Sequence, residues 1–212
     1  MPASRQLILV RHAETQANVE GRWQGQLFEG SVTLRGQQQI RRLAERLRGE
    51  GKEIVALYSS PLGRAQQTAQ GIGVALGLEV RVQDDLKEMD FGELDSLTMT
   101  EIAERHPEFF AAWRDFADAE LAWPGGERRR DFAARVQAVL DGIVTRHTEG
   151  HVVVVGHGGS LRAGIGHLLE WPAAIYFSYN LYNCSLTRLV HEYGRWRLLT
   201  LNDICHLQGL SD

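Results

Sequence analysis

The sequence predicts an α/β fold: three layers, α/β/α, around a mainly parallel sheet, with an antiparallel C-terminal hairpin and a small helical cap. Three observations carry this. Apolar runs of strand length at residues 7–10, 54–58 and 152–155 each open into a polar stretch. Segments with helical periodicity alternate with them, the pattern of parallel strands covered on both faces by crossover helices. The last run, 185–201, instead reads as two strands about a turn at 192–195, which is a hairpin.

Taken in order, residues 7–10 (Leu-Ile-Leu-Val) form the first strand, and 11–32 are loop-like, with glycines at 21, 25 and 30. Thr33 is placed to cap a helix over 34–48 that carries Ile40, Leu43, Ala44 and Leu47 on one face, ended by Gly49 and Gly51. The second strand, 54–58, runs into Ser59-Ser60-Pro61. A helix follows over about 62–76, stopped by Gly77, and 78–82 is a short third strand. Residues 84–97 are an acidic loop. Thr98 and Glu101 have capping-box spacing, so a helix starts there, is interrupted at His106-Pro107, and resumes over 108–119. Trp123-Pro124-Gly125-Gly126 breaks the chain before a long helix over 129–147. The valine strand 152–155 ends in Gly156-His157-Gly158-Gly159, and helix resumes over 161–169. The stretch 98–123 interrupts the strand–helix rhythm and is expected to cap the strand ends. No linker or charge block divides the 212 residues, so 1–212 reads as one domain.

Composition narrows the function classes. Forty-three per cent apolar and 24% charged residues are ordinary for a soluble protein. A net charge of −4 argues against a nucleic-acid binder, yet local arginines can still serve an anionic substrate. The two cysteines, Cys184 and Cys205, form no C-x-x-C and no disulfide framework. No apolar run approaches the roughly 18 residues of a membrane span, and the N-terminal run is too short for a signal-peptide core. The expected location is cytoplasmic, with no membrane partner. A homo-oligomer is compatible with the sequence.

Three strands end in related chemistry: Arg11 and His12 after the first, Ser59-Ser60-Pro61 with Arg64 after the second, His157 after the valine strand. The acidic loop offers Glu88. In a parallel sheet these gather at one edge, where ligands of open α/β folds bind. Two guanidiniums suit a phosphate and stay charged. A neutral imidazole can act as a covalent nucleophile, a second histidine can donate to the equatorial oxygens, and a carboxylate can protonate a leaving alkoxide. Such a set requires neither a metal nor a cofactor.

Arg11-His12 with Glu14-Thr15 and Asn18, then Gly25, Ser59-Ser60-Pro61 with Arg64 and Thr68, Glu88 before Phe91-Gly92, and Gly156-His157-Gly158 together resemble the histidine phosphatase superfamily, the phosphoglycerate mutase-like family. The resemblance runs from about residue 7 to the hairpin. It implies His12 as nucleophile, Arg11, Arg64 and His157 as phosphoryl ligands, Asn18 and Gln24 as lining residues, and Glu88 as proton donor. It also implies a small phosphomonoester as substrate and chemistry without a metal. The compact segment after the acidic loop and Pro124-Gly125-Gly126-Glu127 resemble the broad-specificity and α-ribazole-type phosphatases more than the cofactor-dependent mutases. The latter carry a longer insertion with an arginine pair that Arg128–Arg130 does not match. The tail around Leu201-Asn202-Asp203 and His206 is similar to metal-independent phosphoserine phosphatases, but those carry a histidine where Phe91 stands here. Where many members have Asp-x-Pro-Leu-Thr, this chain has Phe28-Glu29-Gly30-Ser31-Val32-Thr33.

Other residues read as structure. Phe109, Phe110, Trp113 and Trp123 are expected in the core, and Arg128, Arg129 and Arg130 on a solvated face. His106, His147, His151, His167 and His191 belong to no motif, and His206 is left open. Gly71 and Gly73 lie in a helix rather than after a strand, so they are no dinucleotide fingerprint.

Overall fold

The computed structural model describes residues 5–50, 53–115 and 117–210. Six strands form one sheet in the order β3-β2-β4-β1-β5-β6: β1 (Arg5–Arg11), β2 (Ile54–Ser59), β3 (Val80–Val82), β4 (His151–Gly156), β5 (Leu186–Glu192) and β6 (Arg195–Asp203). The first four run parallel. β5 pairs antiparallel with β1 and carries β6 as the edge.

Strand periodicity divides the core in two. Leu7, Leu9, Val152 and Val154 face one side, against α6 (Arg129–Arg146) and α7 (Gly158–Leu168). Ile8, Val10, Val153 and Val155 face the other, against α2 (Leu34–Arg48) and α3 (Gly63–Leu76). The central strands are therefore apolar on both faces, as sandwiched parallel strands must be. Register brings three C-terminal strand ends to the same edge: Arg11 lies opposite Gly156, and Ser59 opposite Val155.

Helix ends follow the sequence chemistry. Thr33 Oγ1 accepts the Gly36 N–H at 2.9 Å. Thr98 and Glu101 form both bonds of a capping box at the start of α4 (Met99–Arg105). Gly77 ends α3 in the left-handed region at φ 68°. Gly51, expected with Gly49 to end α2, lies outside the described residues.

Four elements differ from expectation. The loop after β1 contains a one-turn helix, α1 (Gln16–Val19), closed by a Thr15–Asn18 capping box. The third strand starts at Val80 rather than 78. α7 starts at Gly158, directly after the valine strand, three residues earlier than the apolar pattern placed it. The expected helix 108–119 is α5 (Pro107–Trp113) and stops six residues short. Asp115 and Asp118 turn the chain there by accepting the N–H groups of Ala117 and Glu120. The Trp113 carbonyl, which a continued helix would use, is taken by the Arg129 guanidinium at 2.8 Å. Arg129 also binds the carbonyls of Asp115 and Asp118, so it staples the end of the cap. Only Arg128 and Arg130, both paired with Glu120, lie on the expected solvated face.

Candidate active site

His12 follows the last residue of β1 and is pinned from three sides. Its N–H donates to Gly156 O at 2.9 Å. Asn183 Nδ2 donates to its carbonyl, and the next residue, Ala13, donates its N–H to Thr68 Oγ1. The ring Nδ1 lies 2.8 Å from Ala13 O. That contact puts the ring hydrogen on Nδ1 and leaves the Nε2 lone pair free. Nε2 has no partner among the described residues, and His12 lines a cavity of about 450 Å³.

His157 lies beside it, with ring centroids 5.2 Å apart. Its Nε2 is 2.8 Å from Ser60 Oγ. Ser60 Oγ also accepts the Leu62 N–H; with its own hydrogen directed to Nε2, the ring hydrogen sits on Nδ1. Nδ1 is buried without a partner. Burial holds both imidazoles well below the ordinary histidine pKa, with Arg64 the next cause for each. Both rings are therefore neutral near pH 7.

Arg64, one residue into α3, is fully buried. Its Nη2 donates to the carbonyls of Gln24 and Gly25 at 3.0 and 2.9 Å, and its Nη1 pairs with Glu29 at 3.2 Å. Arg11 Nη1 donates to Leu181 O. The Nε atoms of both arginines are buried and unpartnered. Burial, then the nearby Arg162 charge, brings the Arg11 pKa down to about 10, which still leaves it cationic near pH 7. Three buried N–H donors without protein acceptors, beside a bare imidazole nitrogen, match the oxygens of a phosphoryl group.

Glu88 occupies the N-terminus of α7. Its Oε2 accepts the Gly159 N–H at 2.8 Å, and its Oε1 accepts those of Ser160 and Met89 at 3.1 and 3.0 Å. The carboxylate can sit this close only because residue 159 is glycine, since a Cβ would overlap Oε1 unless Glu88 moved. Asn18 and Gln24 turn their amide oxygens to Thr15 Oγ1 at 3.1 and 2.9 Å. Both residues line the cavity. The structure thus brings together all seven residues selected from the sequence.

Beyond the polar end, the cavity wall is Trp23, Phe91, Met99, Trp113 and Trp123. Trp113 and Trp123 therefore serve the cavity as well as the core. His206 does not approach it: its Nε2 lies 3.1 Å from Cys184 O, a structural contact.

Residues not selected from the sequence hold the site in place. Asp95 is buried and accepts the N–H groups of Gly25, Leu27 and Phe28. It thereby fixes the carbonyls that grip Arg64. Glu29, in the segment that departs from the common pattern, accepts the Arg64 N–H and pairs with its guanidinium. Among six acids in one loop, nothing in the sequence marked Asp95. Among the described residues, no group of three or more His, Cys, Asp or Glu is arranged to hold a metal ion.

Comparison with known proteins identifies the family. The sequence matches the histidine phosphatase superfamily (branch 1) over residues 7–204. It is 36% identical over 201 residues to phosphoserine phosphatase 1 of Hydrogenobacter thermophilus, covering 95% of this chain and 93% of that one. It is 32% identical over 214 residues to a probable phosphoglycerate mutase, GpmB, of Salmonella newport, covering 96% and 95%. Among solved structures, a mycobacterial glucosyl-3-phosphoglycerate phosphatase superposes with a TM-score of 0.82 at 34% identity, covering 94% of this chain and 99% of that one. The strand-end site and these matches lead to one conclusion: the chain belongs to the histidine phosphatase superfamily.

Proposed function

We propose that the protein is a metal-independent phosphomonoesterase that works through a phosphohistidine. The observation that supports it is the free Nε2 of neutral His12 among three unpartnered donors, Arg11 Nε, Arg64 Nε and His157 Nδ1. His12 Nε2 attacks phosphorus in line and the bond to the ester oxygen breaks. Glu88, protonated beforehand, gives its proton to the departing alkoxide. Water then attacks the phosphohistidine, Glu88 takes the water proton, the P–N bond breaks, and neutral His12 returns with inorganic phosphate. The arginines and His157 stabilise the equatorial oxygens throughout. The substrate is a small metabolite whose carbon skeleton lies against the aromatic wall. One domain, 1–212, carries the whole site.

The test is phosphate release from a panel of monoesters by wild type and H12A. Wild type should turn over, retain activity in EDTA, and form an acid-labile phosphoenzyme that H12A lacks. H12A activity within tenfold of wild type would remove the nucleophile assignment. Similarity to a phosphoglycerate mutase supports a second reading, transfer of the phosphoryl group to another hydroxyl. Incubation with 3-phosphoglycerate and a bisphosphoglycerate primer separates the two, since a mutase yields 2-phosphoglycerate in place of free phosphate.

A further inference from the structure

Arg162 lies on α7, lines the same cavity, and belongs to none of the roles above. Its Nε donates to Tyr179 O at 3.1 Å, and its Nη2 lies 3.5 Å from Asn180 Oδ1. These contacts fix the guanidinium plane and leave Nη1. Among the described residues no carboxylate pairs with Arg162, whereas Arg64 has Glu29 and Arg22 has Glu20 and Glu101.

Nη1 lies beside Gly158. A Cβ there would stand 3.4 Å from Arg162 Nη1 and 3.8 Å from Arg11 Nε. The two cations therefore abut one small patch of backbone where no side chain intervenes. Two like charges this close repel, a smaller contribution than burial to the lowered pKa of Arg11, and a second anion beside the phosphate relieves the repulsion. The phosphoryl oxygens already have three unpartnered donors. Arg162 offers a single free nitrogen and one charge, which suits a monoanion.

We propose that Arg162, oriented by Asn180, is the subsite for a carboxylate on the substrate carbon next to the phosphorylated one. The proposal rests on the phosphomonoesterase reading for its orientation. A 3-carbon phosphorylated acid would place its phosphate on Arg11, Arg64 and His157, and its carboxylate on Arg162.

The probe is a pair of esters that differ only in the carboxylate, O-phosphoserine and O-phosphoethanolamine. Binding is measured by calorimetry on H12A, which keeps the pocket and cannot be phosphorylated. H12A should bind O-phosphoserine at least tenfold more tightly. Adding R162M should reduce that ratio to near one, and R162K should restore part of it. Equal affinity for the two esters in H12A overturns the proposal, and so does failure to bind either. Equal weakening of both by R162M also overturns it, since Arg162 would then be a phosphate ligand. Phosphate release by wild type is read separately. If no monoester is hydrolysed, the phosphatase reading falls while a calorimetric preference for the carboxylate stands.

Discussion

Replacing Gly159 by alanine tests Glu88 as the proposed proton donor without touching His12. The new Cβ would overlap Glu88 Oε1 and stand 3.0 Å from the carboxyl carbon and 3.2 Å from Oε2. Only the end of a flexible side chain has to yield, so the fold should survive with little change in Tm. The carboxylate must withdraw by about 1 Å, a displacement that can cost about 100-fold in rate when the group takes part in the chemistry. It must also loosen its 2.8 Å bond from the Gly159 N–H. The expected signature depends on the leaving group. For an alkyl phosphate, kcat/KM falls about 100-fold, because the alkoxide needs a proton. For p-nitrophenyl phosphate, kcat/KM falls less than about tenfold, because an aryl oxide departs without one. Hydrolysis of the phosphoenzyme slows in both cases. Rapid mixing with the aryl ester should therefore show a burst of nitrophenoxide followed by slow turnover. Equal losses on the two esters, or no loss on either, would refute Glu88 as the acid and the argument from Gly159.

Four further outcomes follow from the same contacts. In the ligand-free protein, NMR titration should show His12 and His157 neutral at pH 6.5 and below, since burial and Arg64 depress both; a midpoint at or above 6.5 would contradict this. Their folded pKa values lie below the unfolded value of about 6.5, so their contribution to stability is intact above that pH. It is lost as pH falls, by about 1.4 kcal/mol per pH unit for each ring, until the folded pKa is reached; urea unfolding at several pH values, corrected with H12A, reads the slope. D95A strands three loop N–H groups and frees the Gln24–Gly25 carbonyls from Arg64, and it should cost about 1–3 kcal/mol while weakening inhibition by inorganic phosphate at least tenfold. R129M removes three bonds to the carbonyls that end α5, and it should speed proteolytic cleavage within 113–120 with kcat less affected than KM.

Much of the fold was legible because the strands obey a simple rule. A strand buried on both faces has to be apolar at every position, and 7–10 and 152–155 are. The site was legible because its reacting groups follow those strands directly in sequence. What escaped were interactions that close only in three dimensions. The end of α5 depends on Arg129, which lies 16 residues beyond Trp113. Asp95 looks like its acidic neighbours until the 24–28 loop folds onto it. The start of α7 was obscured by Gly158-Gly159, which read as loop; the small size of Gly159 admits Glu88. The aromatic cap residues have helical spacing, and spacing alone does not distinguish a core face from a cavity wall.

The order of strands also carries a consequence for synthesis. β1 is made first, yet both its sheet neighbours, β4 and β5, come from the last third of the chain. The contacts that hold His12, from Gly156 and Asn183, come from there too. On the ribosome, four consecutive apolar residues and His12 must wait for more than 140 residues to be made. The nascent chain therefore carries an unpaired strand and an unformed site until β4 and β5 have been made, the situation in which long-range pairing is slow and prone to aggregation. A chain stopped just before Leu186 should form no phosphoenzyme and should bind chaperones more than the full chain does. Phosphorylation of such a truncation at the full-length rate would show that the site assembles without its last strands.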